Sequence, residues 1–415
     1  MVLTMRARRA GWAGLIAGAA LCTLIGAPGL AQELDTPAPV LADEIPEYQP
    51  TGIGTGALKL YPSATVRLAY DSNIYAKSTD PADDAIVTFS PRVVADYDHG
   101  TLHVVGTAAA DIRRFATHTT ENSNGALLNG HASLDLGNTD QLIADLGWKR
   151  AVEDRGDPEA RTDDTVGPRL SNVWSGALDY RHQGGRIGFQ AHGGVDRFDF
   201  LAPVDAERDF TQVVASGRLS YRMHGLTSVF GEVFANHRDF RLATDFSGID
   251  RDASTIGARC GVSIDPGGLW SGDIGVGVFH FDPQDPTLKG RTGLSVQGSL
   301  IYAPTPRLAF TLEAFRGDVA TVRSGTSTRV DTRVQLGFQQ EIRHNLHWSG
   351  AVVYRRSKFV GGGTQRTLGG ESEVEYRFNR RFAIAAVARY ADRNSNRASE
   401  RFERFRGAIE LRLRY

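Results

Sequence analysis

The chain has 415 residues, 47 of them Lys or Arg against 48 Asp or Glu, for a formal charge of −1. That balance is too mild for a nucleic-acid partner. Two cysteines, Cys22 and Cys260, rule out a disulfide-stapled scaffold.

Residues 1–31 read as a secretory signal peptide cleaved near Ala31. Arg6, Arg8 and Arg9 form a basic start, the apolar run "AGWAGLIAGAALCTLIGAPGLA" follows, and Gly29 and Ala31 place small residues ahead of Gln32. Uncleaved, the run is about long enough to anchor in a bilayer, but its Gly/Ala/Pro-rich end favours cleavage. Leu21 ahead of Cys22 argues against a lipoprotein. Losing three arginines and no acid takes the net charge from −1 to −4. Cys260 then stands alone, in phase with Ile256, Ala258, Val262 and Ile264, as a small apolar filler.

Residues 32–56 carry Pro, Gly and acids without a period and read as a flexible periplasmic leader. Gly52, Gly54 and Gly56 do not make a phosphate loop, because no strand precedes them and no helix signal follows. No other stretch approaches the roughly 18 consecutive apolar residues of a membrane helix.

From residue 57 onward two kinds of break alternate. Tight Gly/Asn/Asp/Pro clusters such as "YDHGT" (97–101), "HQGGR" (182–186) and "DPGGL" (265–269) have hairpin length. Longer polar stretches such as "AKSTDPADD" (76–84) and "EDRGDPEARTDDTVGP" (153–168) lie between them. Eight tight turns and nine longer loops in strict alternation predict eighteen strands over residues 57–415. The predicted class is all-β: a closed transmembrane up-and-down antiparallel barrel with short periplasmic turns and longer extracellular loops.

The two faces support this. Leu102, Val104, Gly106, Ala108, Ala110 and Ile112 form one face of the third strand. Leu294, Val296, Gly298, Leu300 and Tyr302 do so in the twelfth, and Val330, Val334, Leu336, Phe338 and Ile342 in the fourteenth. The alternates of the fourteenth strand include Arg329, Asp331, Arg333, Gln335, Gln339 and Glu341, which are too polar for a packed core. Lipid outside and a wet lumen inside satisfy both sets. Tyr97, Tyr180, Tyr221, Trp270, Tyr302 and Trp348 cluster beside tight turns, and Tyr70, Trp148, Trp174 and Tyr390 toward the long loops, as two interfacial girdles would.

The chain closes on "RGAIELRLRY". Ile409, Leu411, Leu413 and Tyr415 alternate with charges, and this pattern resembles the C-terminal signal read by the barrel-assembly machinery. A terminal strand offers a pairing edge for such a readout.

The stretch "VRLAYDSNIY" (66–75) ends the first strand in aromatic-Asp-Ser-Asn soon after a Pro-rich leader. In this it resembles the outer-membrane β-barrel porin 2 family. The resemblance implies an outer-membrane location in a Gram-negative bacterium and carries no catalytic residues. It also implies a role in polysaccharide secretion beside a periplasmic polysaccharide-export protein. Read from the residues alone, Asp71, Ser72 and Asn73 form a hydrogen-bonded loop edge that ends the strand.

Function must lie on the lumenal face. Candidate lining charges are Arg329, Asp331, Arg333, Arg355, Glu371, Glu373, Glu375, Arg389, Arg404, Arg406, Glu410, Arg412 and Arg414. Opposed ladders select permeants by charge; the plainer reading is a self-neutralised wet wall in which each pair contributes ~0–1 kcal/mol. His192, Asp196 and Ser216 occupy neighbouring strands but lack a nucleophile-elbow motif, so an enzyme is not expected. No metal motif is present, although the acidic "DPEARTDD" could hold Ca²⁺ or bridge lipopolysaccharide. No cofactor is expected. The partners expected are outer-membrane lipid, lipopolysaccharide and the barrel-assembly machinery.

Two functions stay open: the outer-membrane conduit of a polysaccharide (exopolysaccharide or capsule) secretion system, and a general diffusion porin for small hydrophilic solutes. A porin usually needs an infolded constriction loop, and the longest loop, 153–168, has only sixteen residues. That shortness tilts the expectation toward export.

Overall fold

The computed structural model describes residue 41, residues 47–54 and residues 56–415. The expected signal peptide, and most of the expected leader, lie outside the described residues. Eighteen strands follow in chain order. The first nine are β1 (Leu58–Asp71), β2 (Asp84–His99), β3 (Leu102–Phe115), β4 (Ser123–Asp135), β5 (Asp140–Val152), β6 (Leu170–Gly184), β7 (Ile187–Phe200), β8 (Phe210–His224) and β9 (Thr227–Phe240). The others are β10 (Ala253–Ile264), β11 (Trp270–Pro283), β12 (Arg291–Thr305), β13 (Leu308–Val319), β14 (Arg329–Arg343), β15 (Leu346–Phe359), β16 (Thr364–Asn379), β17 (Phe382–Ser395) and β18 (Phe402–Arg414). Each pairs antiparallel with its chain neighbours, and β1 pairs with β18 from Ser63–Arg414 to Asp71–Arg406. The ring is closed, and no edge strand is left for lipid to desolvate.

Connections alternate strictly between short and long, as expected. At the Gly185–Arg186 turn, Gly185 takes φ +52°, a left-handed conformation that a side chain would resist. The described part of the leader joins the structure through Ile53 and Leu60, which exchange backbone hydrogen bonds of 2.7 and 2.8 Å. Gly54 lies in the turn between them at φ +133°, where a Cβ would meet Leu58 O at 2.5 Å. This glycine run closes a turn.

Cross-strand partners share a face, so the ladders test the inside–outside pattern directly. Val66 pairs with Phe89 and Leu68 with Val87, and all four are exposed on the outer wall. In β3, Leu102, Val104, Ala108 and Ile112 pair with His99, Tyr97, Val93 and Phe89. In β12, Leu294 and Val296 pair with Val278 and Val276. Cys260 is exposed on the same outer face. Trp270 stacks on Tyr302 at 4.5 Å near the short-turn rim, and Trp148 lies 6.0 Å from Trp174 toward the long loops.

One outward assignment is corrected. Val330 is only 3% exposed and packs with Ala253, Phe279 and Phe281 on the inner side of β10 and β11. The cause is a bend. Pairing of β12 with β13 stops at Val296–Arg316, whereas β13 and β14 stay paired to their tips at Val319–Arg329. The β13–β14 tip therefore leaves the wall and leans into the barrel. Asp318 on this tip meets Arg238 of β9 at 2.7 Å, both side chains 2% exposed. A period of two continues through such a bend, because tertiary partners set it.

The loop after β13 continues inward. Ala320 and Val322 cover Phe198, Phe210 and Phe240, three inward rings on adjacent strands stacked at 4.6 and 5.1 Å. A small apolar cluster thus lies inside the long-loop end of an otherwise polar lumen.

Candidate functional site

The loop 153–169, between β5 and β6, folds into the barrel. Its near side is held by arginines that reach neighbouring loops. Arg155 Nη2 lies 2.5 Å from Glu121 Oε1, and Arg161 and Arg169 grip Asp205 at 2.6 and 2.7 Å. Its far side is held by the opposite wall. Glu159 accepts from Arg329 Nη1 of β14 at 2.7 Å, and Arg393 of β17 donates to the carbonyls of Gly156 and Asp157. Asp154 accepts from Arg404 Nη1 at 2.8 Å and from Arg406 Nη2 at 2.5 Å, both on β18. In a ring of eighteen, β14 and β15 lie nine strands from β5 and β6, half-way round. The loop crosses the lumen. Its sixteen or seventeen residues suffice, which corrects the expectation that it is too short to constrict.

The contacts also explain the acidic composition of this segment. Glu153, Asp154 and Glu159 are taken up by arginines, Asp164 pairs with Lys77, and Asp163 accepts from Thr165. Among the described residues no group of three or more His, Cys, Asp or Glu gathers as a metal site requires, so nothing supports Ca²⁺ here.

Electrostatics divide the loop's two central aspartates. Burial alone would push Asp154 upward, but Arg404 and Arg406 outweigh it and hold the carboxyl well below the usual carboxylate range. Asp157 goes the other way. Burial, and then the charge of Asp154, push it up to about 8 against Arg355 and Arg393. Its nearest cation, Arg355 Nη1, stands off at 3.8 Å, and its Oδ2 has no hydrogen-bond partner.

The strand-ending motif supports the same crossing. Asp71 accepts from Arg404 Nη2 at 2.6 Å and from Arg406 Nε at 2.9 Å, so the two arginines lie between Asp71 and Asp154. Ser72 and Phe405 exchange hydrogen bonds at 2.9 Å across the β1–β18 seam. Asn73 donates to the carbonyls of Lys77 and Glu403 and accepts from Lys77 N. The motif locks the seam and orients the arginines that pin the loop.

All thirteen charged residues singled out from sequence lie on the inner-facing positions of β14–β18. Arg329 and Arg355 flank Asp331 at 3.1 Å each. Arg333 Nη2 donates to Gln335 at 2.7 Å. Arg389 Nε pairs with Glu371 at 2.5 Å. Toward the short-turn rim, Arg412 binds Glu373, Glu375 and Glu410, while Arg414 binds Glu375 at 2.7 Å and Arg67 binds Glu410 at 2.6 Å. Arg404 and Arg406 do not belong to an open wet wall. Arg404 is 9% exposed and committed to two aspartates. Asp71, Asp154, Asp157, Glu159 and Arg393 were absent from the sequence-level set. Their partners lie up to hundreds of residues away, and only the acid-rich 153–164 run hinted at them.

The C-terminal residues expected to serve as an assembly signal are placed as alternation requires. Ile409 and Leu413 are exposed on the outer wall, Leu411 shares their face, and Tyr415 N donates to Pro62 O at 3.0 Å. Of the weighed triad, His192 Nδ1 lies 3.0 Å from Asp179, with Ser216 its cross-strand neighbour.

With this geometry in place, the family model described as Putative beta-barrel porin 2 matches residues 45–415. The chain belongs to this family. It is an outer-membrane β-barrel channel of the porin type, at home in a Gram-negative outer membrane. No curated protein matches it in sequence. Among solved structures it is similar to the outer membrane protein OpdK from Pseudomonas aeruginosa, at 14% identity over 86% of this chain and 99% of that one, with a TM-score of 0.43. It is also similar to OccK2 (OpdF) from the same organism in complex with glucuronate, at 13% identity, 86% and 99% coverage and a TM-score of 0.46. The FrpB iron transporter from Neisseria meningitidis matches at 10% identity and a TM-score of 0.46, covering 83% of this chain, which spans only 62% of that protein's length. These likenesses are of fold alone.

Proposed function

We propose that this porin is a constricted channel through which small hydrophilic solutes diffuse, screened by charge. One observation carries the reading: loop 153–169 spans the lumen, ion-paired to β18 through Asp154 and to the far wall through Glu159. The wall brings arginines to that crossing and the loop brings carboxylates, so a transverse field lies across the narrowest path. Such a field orders dipolar solutes and rejects those that cannot align. The proposal assigns the protein no catalytic step.

The alternative, an outer-membrane conduit for polysaccharide, rests on the family resemblance. It requires the loop to leave the lumen, which breaks buried ion pairs that cost about 3–5 kcal/mol each when one partner is removed. Diffusion of small solutes needs no such step. Single-channel recording in planar bilayers tests the reading. Deleting residues 155–167 should raise conductance severalfold and weaken ion selectivity. Unchanged conductance would show that the loop does not border the path. A full gene deletion that abolishes surface polymer would restore the conduit.

A further inference from the structure

The bend of the β13–β14 tip has a second effect, on the outside of the barrel. Above Val296–Arg316 the wall is unpaired between β12 and β13, and arginines gather beside the split. Arg316, Thr332, Arg356 and Arg366 are successive cross-strand partners along one row from β13 to β16. They share the outer face with Val352, Tyr354 and Leu368, all exposed toward lipid. The row lies one outward position beyond Tyr354, on the long-loop side, where the headgroups of the outer leaflet begin.

Arg316 and Arg356 are two strands apart, about 10 Å at the usual strand spacing, and bracket Thr332. Arg316 Nη1 already donates to Thr332 Oγ1 at 2.5 Å. The charge of Arg356 acts on Arg316 across the threonine. Yet the Nε atoms of Arg316 and Arg356 are each buried without a hydrogen-bond partner. Buried orphan donors on two neighbouring like charges are costly unless an anion joins them. No carboxylate stands in the row, and Lys358 adds a further cation one position beyond. The nearest acid on the tip, Asp318, is turned inward by Arg238.

We propose that Arg316 and Arg356 form an outward-facing site for the phosphorylated headgroup of an outer-leaflet lipid. Two arginines flanking a threonine hydroxyl match the donors a phosphate needs. The site's position on the lipid face, level with the headgroups, selects a membrane-anchored phosphate over a free one.

The test is native mass spectrometry of the purified barrel in detergent, titrated with diphosphoryl lipid A, with its dephosphorylated form and with inorganic phosphate. The wild-type protein should retain the diphosphoryl lipid, should not retain the dephosphorylated one, and should not release bound lipid to millimolar phosphate. The double variant Arg316→Gln/Arg356→Gln should bind the diphosphoryl lipid at least about tenfold more weakly. Equal binding by wild type and variant would overturn the site, as would equal binding of both lipid forms. Displacement by inorganic phosphate alone would overturn the lipid assignment. If the double variant fails to show the heat-dependent gel shift of a folded barrel, Arg356→Gln alone is read the same way. Arg316→Lys/Arg356→Lys should recover part of the binding.

Discussion

Asp71 and Arg404 join the first and last strands of the barrel: Arg404 Nε stands 3.0 Å from each Asp71 carboxylate oxygen and Nη2 2.6 Å from Oδ2. Asp71 has no exposed surface, and Arg404 passes on to Asp154 in the crossing loop. One carboxylate therefore serves the seam and the constriction together.

Replacing it separates those roles from simple charge. Asp71→Asn should destabilise the folded barrel by about 3–5 kcal/mol, the usual cost of leaving buried cations without their partner. It should also loosen the loop, seen as a lower temperature for the gel shift together with noisier single-channel current. Lower stability with quiet, unchanged current would show that Asp71 serves the seam alone.

Asp157 makes the loop sensitive to alkali. Its pKa is raised from its ordinary 3.8 to about 8 when docked, so the docked loop holds a proton that a released loop gives up. That contribution is complete below pH 3.8 and disappears as pH rises through about 8. Asp154 acts in the opposite sense: its lowered pKa favours docking above pH 3.8 and loses effect as pH falls. Current through the wild-type channel should be quietest between these limits and grow noisier above about pH 8. Asp157→Asn should remove the alkaline limb and keep the acid one.

The lipid-facing wall is tested by Leu413→Asp. Leu413 pairs with Ala64 and Phe382 on the outer face, where a charge near the bilayer midplane costs about 2–4 kcal/mol for a cation and less for an acid or near the interface. Outer-membrane levels should fall sharply, with the folded form missing from heat-shift gels. Leu411→Asp should behave similarly, whereas a neutral change at inward-facing Ala408 should not.

Sidedness follows from the alternation of short and long connections. A peptide tag at Gly248, in the loop after β9, should label on whole cells, and a tag at Gly184, beside the β6–β7 turn, should label only after the outer membrane is opened. The reverse pattern would invert the barrel.

Much of this architecture was legible because strand alternation and turn chemistry are local. A two-residue period marks Leu294–Val296 or Ile409–Leu413 as lipid-facing without knowledge of any partner. Val330 misled for the complementary reason: it keeps the period while the tip that carries it bends inward to reach Arg238 and Phe279. The wall charges of β14–β18 could be assigned to the inner face, but which of them were committed could not. Arg404 and Arg412 look alike in "RFERFRGAIELRLRY". One holds a loop 250 residues away, and the other neutralises three glutamates, one on its own strand and two on β16. The inward fold of loop 153–169 leaves no mark in its sequence, because a hydrophilic composition suits water and a salt-bridged lumen equally well.

The crossing loop also sets an order in time. Two of its anchors, Arg404 and Arg406, lie on the last strand, and Asp71, which orients them, lies on the first. The contacts of Asp71 cannot form until the two strands meet. Ring closure therefore completes the set of contacts that fixes the two arginines against the loop, and a barrel open at this seam holds its constriction by fewer anchors.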